Sequence, residues 1–302
     1  MTQLCIIGAT ASGKSNLALK VAQKIDAYIL SLDSLSIYKE IDIVSAKPSK
    51  EELNLIQHFG IDAIYPDQYF SVEIFIQLYQ ETLQKCKQDK KNLVIVGGSS
   101  FYLKTLLSGL SQLPPITPEI ENSVQKKLKN LHQVHSFLSQ HDPLYMQKIN
   151  KNDHYRIEKA LLIYEASNLF ATQWFLQNPP TPIIQDVTIF NIDVARTTLR
   201  ERISLRTNIM LQQGLLDEIA YLEQKYTRLP NAMGAIGIIE VLEYFDTKVT
   251  KEQMIQNIIT HTAQLAKRQQ TFNNTQFPNI ISAPLQELED IIYQKISKVQ
   301  NV

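Results

Sequence analysis

Leu4-Cys5-Ile6-Ile7-Gly8-Ala9-Thr10-Ala11-Ser12-Gly13-Lys14-Ser15 is the stretch whose reading decides the fold. Leu4–Ile7 is an apolar run short enough for a buried strand. Beyond Ser15, Leu17, Ala18, Val21, Ala22 and Ile25 recur at helical spacing. Between strand and helix, Gly8 to Ser15 fits G-x-x-x-x-G-K-[ST], a phosphate loop in the context that this motif requires. Gly8, Ala9, Thr10, Ala11, Ser12 and Gly13 supply a backbone that folds around one anion, its N–H groups aided by the positive end of the helix. Lys14 is expected to reach the outer phosphate oxygens, and the Ser15 hydroxyl to sit on a Mg²⁺ that shares their charge. The motif calls for a di- or triphosphate and is silent about the reaction.

Working outward, four of the nine glycines fall in two places, Gly8 with Gly13 and Gly97 with Gly98. Each pair follows a strand-like run, Leu4–Ile7 or Leu93–Val96, so backbone is brought close to a ligand at one sheet edge. Tyr28–Leu32 and Val187–Ile192 read as two more strands. A helix capped by Ser71, carrying Phe75, Leu78, Tyr79 and Leu83, leads into the Leu93 strand. This alternation predicts an α/β fold with a P-loop-type parallel sheet flanked by helices. The character changes at Thr117-Pro118-Glu119, a helix start repeated at Asp142-Pro143, and the helices that follow are polar and Lys-rich. Asn178-Pro179-Pro180-Thr181-Pro182 reads as the return hinge. The expected organisation is residues 1–116 with 181–302 as the α/β catalytic domain, and 117–180 as an inserted all-helical subdomain. Further helices are expected over Arg200–Gln213, Leu215–Lys225, Ala235–Tyr244 and Glu252–Thr271.

The composition narrows the classes. A chain of 302 residues with 44% hydrophobic and 20% charged residues builds a core and is not intrinsically disordered. No apolar run approaches the roughly 18 residues of a membrane span, and the start does not read as a signal peptide. Two distant cysteines, Cys5 and Cys86, point away from a disulfide scaffold and toward a reducing cytoplasm. With 30 basic and 30 acidic residues, any polyanion must be held by local patches. One such segment is Glu121 to Ala160, with seven Lys or Arg against four Asp or Glu, a local excess of +3. Arg196, Arg200, Arg202 and Arg206 against Glu201 form another. Charge-rich helices are also commonly just solvated faces. The histidines lack metal-ligand spacing and read as surface or capping residues.

Asp33 follows the second strand at the sheet edge where the loop lies. A carboxylate there can hold a magnesium-bound water or take a proton from a nucleophile, and it can equally cap the following turn. No acid follows Leu93–Val96, which ends in Gly97-Gly98-Ser99-Ser100. That absence weighs against an ordinary ATPase or GTPase and raises the weight on Asp33.

At this point the residues resemble the tRNA dimethylallyltransferases, also called isopentenyltransferases, from end to end. GATASGKS is similar to their G-x-T-A-S-G-K-[ST]. Asp33-Ser34-Leu35-Ser36-Ile37-Tyr38 resembles D-S-x-Q-x-Y, with Ser36 in place of Gln. Ser45-Ala46-Lys47-Pro48 resembles T-A-K-P, and Gly97-Gly98-Ser99-Ser100-Phe101-Tyr102 resembles G-G-T-G-L-Y. In the insertion, Asp142-Pro143, Asn152-Asp153 and Arg156 to Leu161 resemble D-P…N-D-x-x-R-x-x-R-A-L-E, with Lys159 for the second Arg. Arg202, Arg206, Met210, Gly214-Leu215 and Glu218 fit R-x-x-x-R-x-x-x-M-x-x-x-G-L-x-x-E. Ala235 to Glu240 is similar to A-I-G-Y-K-E, with Ile238 and Ile239 for Tyr and Lys. Ala266-Lys267-Arg268-Gln269-Gln270-Thr271-Phe272 resembles A-K-R-Q-x-T-W; the chain departs from the family at Ala263 and Phe272.

The resemblance implies transfer of a dimethylallyl group from dimethylallyl diphosphate to N6 of adenosine 37, beside the anticodon of tRNA. The anion in the loop is then the diphosphate, held by the loop amides, Lys14, Arg206 and a Ser15-bound Mg²⁺. Asp33 is expected to accept an N6 proton, and Thr10 to orient the prenyl oxygen or simply form the turn. Asp33, Ser34, Leu35, Ser36 and Ser99 are expected to line the base entrance, with Tyr155, Arg156, Lys159, Lys267 and Arg268 on the RNA. The base must leave its stack, which is easier in a single-stranded loop. Nothing in the sequence demands more than a monomer. The alternatives are a P-loop small-molecule or nucleoside kinase using ATP, with the insertion as its lid, and a non-enzymatic nucleotide-gated RNA-binding switch.

Overall fold

In the computed structural model, which describes residues 1–300 with side chains through 297, the opening apolar run forms β1 (Gln3–Gly8), buried from Leu4 onward. It feeds α1 (Lys14–Lys24), whose Leu17, Ala18, Val21 and Ala22 pack on the sheet. Burying each of the two larger side chains contributes roughly 1.5–3 kcal/mol. The chain continues through β2 (Ala27–Ser31), α2 (Lys50–Leu55), β3 (His58–Phe59), α3 (Val72–Asp89), β4 (Asn92–Gly97) and α4 (Ser100–Ser108). As expected, the Ser71 side chain accepts the Ile74 N–H at the start of α3, which buries Phe75 and Tyr79.

After the helical insertion come β5 (Thr188–Ile192), α10 (Arg196–Gln212), α11 (Leu215–Tyr226), α12 (Ile238–Phe245), α13 (Lys251–Gln276), β6 (Ile281–Ala283) and α14 (Leu285–Gln300). The six strands are parallel in the order β3-β2-β4-β1-β5-β6. Central strands buried on both faces must be apolar throughout, which is why β1 and β4 read as unbroken hydrophobic runs. Register pairs Ile7 with Gly97, Gly8 with Ile192 and Ser31 with Val96. The carboxyl ends of β1, β2, β4 and β5 therefore open on one edge, where ligands of open α/β sheets bind.

The chain divides into two compact units, one of residues 1–104 with those from Ile184 on, the other Thr105–Ile183. The expected insertion, 117–180, lies wholly within the second. That unit reaches further at both ends because Ile183 N–H donates to the Leu106 carbonyl (2.8 Å), so entry and exit strands of chain travel together. Its helices α5 (Pro118–Leu128), α6 (Leu131–His141), α7 (Pro143–Met146), α8 (His154–Ser167) and α9 (Ala171–Gln177) enclose Val124, Leu138, Ile157 and Leu161. Asp142 is buried, caps α7 through Tyr145 N–H (3.3 Å) and accepts Thr172 N–H (2.9 Å), so this Asp-Pro is a structural joint. Asp153 caps α8 at Arg156 N–H (3.1 Å). Trp174 is half-buried, with its indole N–H on the Gln112 carbonyl (2.8 Å).

Candidate active site

The loop between β1 and α1 turns through two left-handed residues, Ala11 (φ 62°) and Gly13 (φ 94°). The second needs glycine, because a side chain is strained at that angle. Ser12 N–H closes the turn on the Ala9 carbonyl (3.2 Å). From α10, Arg202 donates to the Ser12 and Ala11 carbonyls (3.2 and 3.4 Å). The carbonyls of the turn are thus tied on one side, which fixes the peptide planes that carry its N–H groups. Gly8 has no room for a Cβ, which would lie 2.8 Å from the buried Ser12 hydroxyl.

Thr10, Lys14, Ser15, Asp33, Ser34, Leu35, Ser36, Ser99 and Arg206 all line one cleft of about 420 Å³. The fold therefore gathers the expected diphosphate, catalytic and base-entrance side chains from β1, β2, β4 and α10. Lys14 rests on the Ala9 carbonyl (3.3 Å), and Arg206 reaches the Thr10 hydroxyl at 3.5 Å. Burial pushes the Lys14 ammonium down to about 8, with Arg206 pushing the same way and Asp33 opposing. Burial also lowers Arg206, again against Asp33. Two cations crowd toward one carboxylate, an imbalance that an incoming anion relieves.

Asp33 caps the turn, one of the two roles read from the sequence, and it stands at the cleft. Its Oδ1 accepts the N–H groups of Leu35 (2.8 Å) and Ser36 (3.1 Å), fixing the turn. Its Oδ2 takes no hydrogen bond from any described residue, and the side chain lines the cleft. Ser34 N–H donates to the Ser99 hydroxyl (3.3 Å), which joins the turn after β2 to the one after β4. A loop closes the far wall: Glu218 of α11 accepts the N–H groups of Asp42, Ile43 and Val44 (2.9, 2.7 and 3.0 Å). Lys47 is anchored within it on the Tyr38 carbonyl (2.7 Å), Asp42 and Asp62.

The Ser15 hydroxyl lines the cleft with no hydrogen bond from the described residues, and no group of three His, Cys, Asp or Glu among them is placed to hold a metal alone. Such a donor set fits Mg²⁺, which keeps several waters and takes most of its remaining oxygens from substrate phosphates.

Other expected residues lie elsewhere. Lys267 and Arg268 are exposed on α13, and Lys267 instead rims a groove with Arg196 and Arg200 of α10. Tyr155, Arg156 and Lys159 stand on α8 of the helical unit. There Tyr155 is 67% exposed under the Lys159 ammonium (5.6 Å), and Arg156 pairs with Asp153 (3.3 Å). Lys127 is likewise paired, with Glu165 (2.7 Å). Among the cleft residues that sequence reasoning did not place there are His58 and Gln269. His58, grouped with the surface histidines, is half-buried in the cleft, with Nδ1 on the Ile56 carbonyl (2.7 Å) and burial lowering its pKa. Gln269 reaches the cleft from α13; its match to the Gln of the A-K-R-Q-x-T-W stretch was the signal that could have marked it.

Fold and site together define a phosphate-loop α/β protein with a carboxylate in the cleft beside the loop. The family model described as IPP transferase matches residues 36–276. The tRNA dimethylallyltransferase of Sulfurimonas denitrificans is 64% identical over 98% of this chain and all of its own length. A crystal structure of tRNA delta(2)-isopentenylpyrophosphate transferase from Staphylococcus epidermidis is 29% identical, covers 99% of each chain and superposes with a TM-score of 0.69. A eukaryotic dimethylallyltransferase acting on tRNA, 22% identical, superposes at 0.81 over 98% of this chain and 78% of its own, which shows the shared fold. The chain belongs to the tRNA dimethylallyltransferase family, a family of prenyltransferases, and these relationships give no support to the kinase alternative.

Proposed function

We propose that this chain transfers the dimethylallyl group of dimethylallyl diphosphate to the exocyclic N6 of adenosine 37 of tRNA, releasing diphosphate. The observation that carries the reading is Asp33 facing the same cleft as the Lys14–Arg206 pair, with one carboxylate oxygen unengaged. In the transfer, the allylic C1–O bond breaks, N6 forms the bond to C1, and the N6 proton passes to Asp33. The lone pair of N6 is delocalised into the purine, so removing that proton as the bond forms offsets the poor nucleophile. Lys14, Arg206 and the loop amides stabilise the charge that grows on the departing diphosphate. The Ser15 hydroxyl would hold a Mg²⁺, which would supply further charge neutralisation to the leaving group. Thr10 holds the bridging oxygen through its hydroxyl.

The turn Asp33–Ser36 and Ser99 form the mouth through which the extruded base enters. Tyr155 offers an exposed ring for stacking, with Arg156, Lys159, Lys267 and Arg268 on the phosphates. The protein works as a cytoplasmic monomer. Among the described residues no helix is long and apolar enough to cross a membrane.

The test is incubation of the purified protein with labelled dimethylallyl diphosphate and unmodified tRNA, without ATP. Prenylated RNA is expected, and Asp33→Asn should lose about 10²–10⁴-fold in kcat while keeping diphosphate affinity. Asn retains the oxygen that fixes the turn, so the loss isolates proton acceptance. Undiminished turnover in that variant sinks the assignment of the base.

A further inference from the structure

We infer that Gln269 is a positioning residue that sets the gap between the leaving group and the nucleophile. The inference rests on the reading of the phosphate loop and Asp33 given above. β1 and β4 are neighbours in the sheet, and their last paired residues are Ile7 and Gly97. Beyond that rung the two backbones part, one into the phosphate loop and the other into the Gly98–Ser99 turn at the base entrance. The Gln269 amide fills the opening. Its Oε1 accepts the Thr10 N–H (2.8 Å) and its Nε2 donates to the Gly98 carbonyl (3.0 Å). An N–H can only donate and a carbonyl can only accept, so these two partners dictate which way the amide faces. The side chain acts as an extra rung between the diphosphate half of the site and the base half.

Three observations fit that role. A Cβ at Gly98 would lie 2.5 Å from Nε2, so the turn is glycine where the amide passes. The Thr10 amide is held by Gln269, which aims the Thr10 hydroxyl at the cleft and at Arg206. The Ser99 hydroxyl, next to Gly98, accepts from Ser34 in the turn that Asp33 fixes. A chain of contacts thus runs from Thr10 through Gln269 and Gly98–Ser99 to the Asp33 turn. A misplacement of about 1 Å between reacting groups costs on the order of 10²-fold in rate.

The experiment compares full-length Gln269→Met and Gln269→Glu with the native chain in steady-state prenylation of tRNA. Methionine keeps the volume and removes both hydrogen bonds. Its kcat should fall about 10–100-fold, with the KM for either substrate changed by less than about threefold. Glutamate is subtler. Ionised, it sets a negative oxygen against the Gly98 carbonyl; protonated, it again offers one acceptor and one donor. Its activity relative to the native chain should climb as the pH falls from about 8 to about 6, while the methionine ratio stays flat. A packing role predicts near-native turnover in Gln269→Met, and that result overturns the inference. So does a loss confined to the KM of one substrate, which marks direct contact, or a Gln269→Glu ratio indifferent to pH. Should the methionine variant fail to fold, the glutamate pH ratio decides alone. Unaltered diphosphate affinity in Lys14→Met would instead fault the loop assignment, which separates the two failures.

Discussion

Lys14 is expected to cost the unliganded protein stability for the sake of its ligand. Its ammonium titrates at about 8 in the fold against 10.5 in a free side chain, because burial strips its water and Arg206 repels it, with Asp33 offsetting only part. Below pH 8 both folded and unfolded chains carry the proton, and the penalty is fully present. Between about 8 and 10.5 the unfolded chain binds more protons than the native one, so stability from this group rises with pH. By pH 9.5 the gain is one and a half pH units at about 1.4 kcal/mol each; the side chain is only half-buried, so about 1–2 kcal/mol is expected. Lys14→Met removes the charge and its hydration cost. Urea unfolding at pH 7 should find the variant more stable by a similar amount, with the difference shrinking toward pH 9.5. Calorimetric titration with diphosphate should find the opposite order, since the native chain binds and the variant barely does. Native affinity should weaken as the pH climbs past 8, by up to about tenfold per unit. Parallel stability profiles for the two proteins from pH 7 to 9.5 would refute this reasoning.

Two further outcomes follow from the walls of the site. Glu218→Ala leaves the N–H groups of residues 42–44 without their acceptor. It should cost about 1–3 kcal/mol in urea unfolding and raise the KM for tRNA, while Glu218→Gln, which keeps one acceptor oxygen, should lose less. Raising salt from about 50 to 200 mM should weaken tRNA binding far more than diphosphate binding, as read by filter retention and calorimetry. Equal slopes would count against the unpaired lysines of the helical unit as phosphate contacts.

Much of this protein is local, and so was legible. Leu4–Ile25 specifies strand, phosphate loop and helix in one short stretch, because each step depends only on neighbours: burial on both faces, a left-handed glycine, and an apolar stripe at helical spacing. Four strands were readable for the same reason. The edge strands β3 and β6, two and three residues long, were not, because so short a run has no period to read. The helical unit was visible by its cap-plus-proline starts, but its ends were not, since the Leu106–Ile183 pairing joins residues far apart in the chain.

The sequence by itself determined the phosphate-loop motif, the alternation of strands and helices around it, and the family to which the chain belongs. Only the tertiary structure decided how the site residues stand to one another. Asp33 reaches the Lys14 cleft because β1, β4 and β2 lie side by side and end at one edge. Gln269 meets Thr10 across 259 positions of sequence, a contact that no local pattern encodes. His58 turned out to line the cleft because the edge strand β3 lies beside β2, pairing it with Ile29. Propensity and periodicity act over a few residues, whereas a site is assembled by packing, which brings together whatever the sheet order makes adjacent.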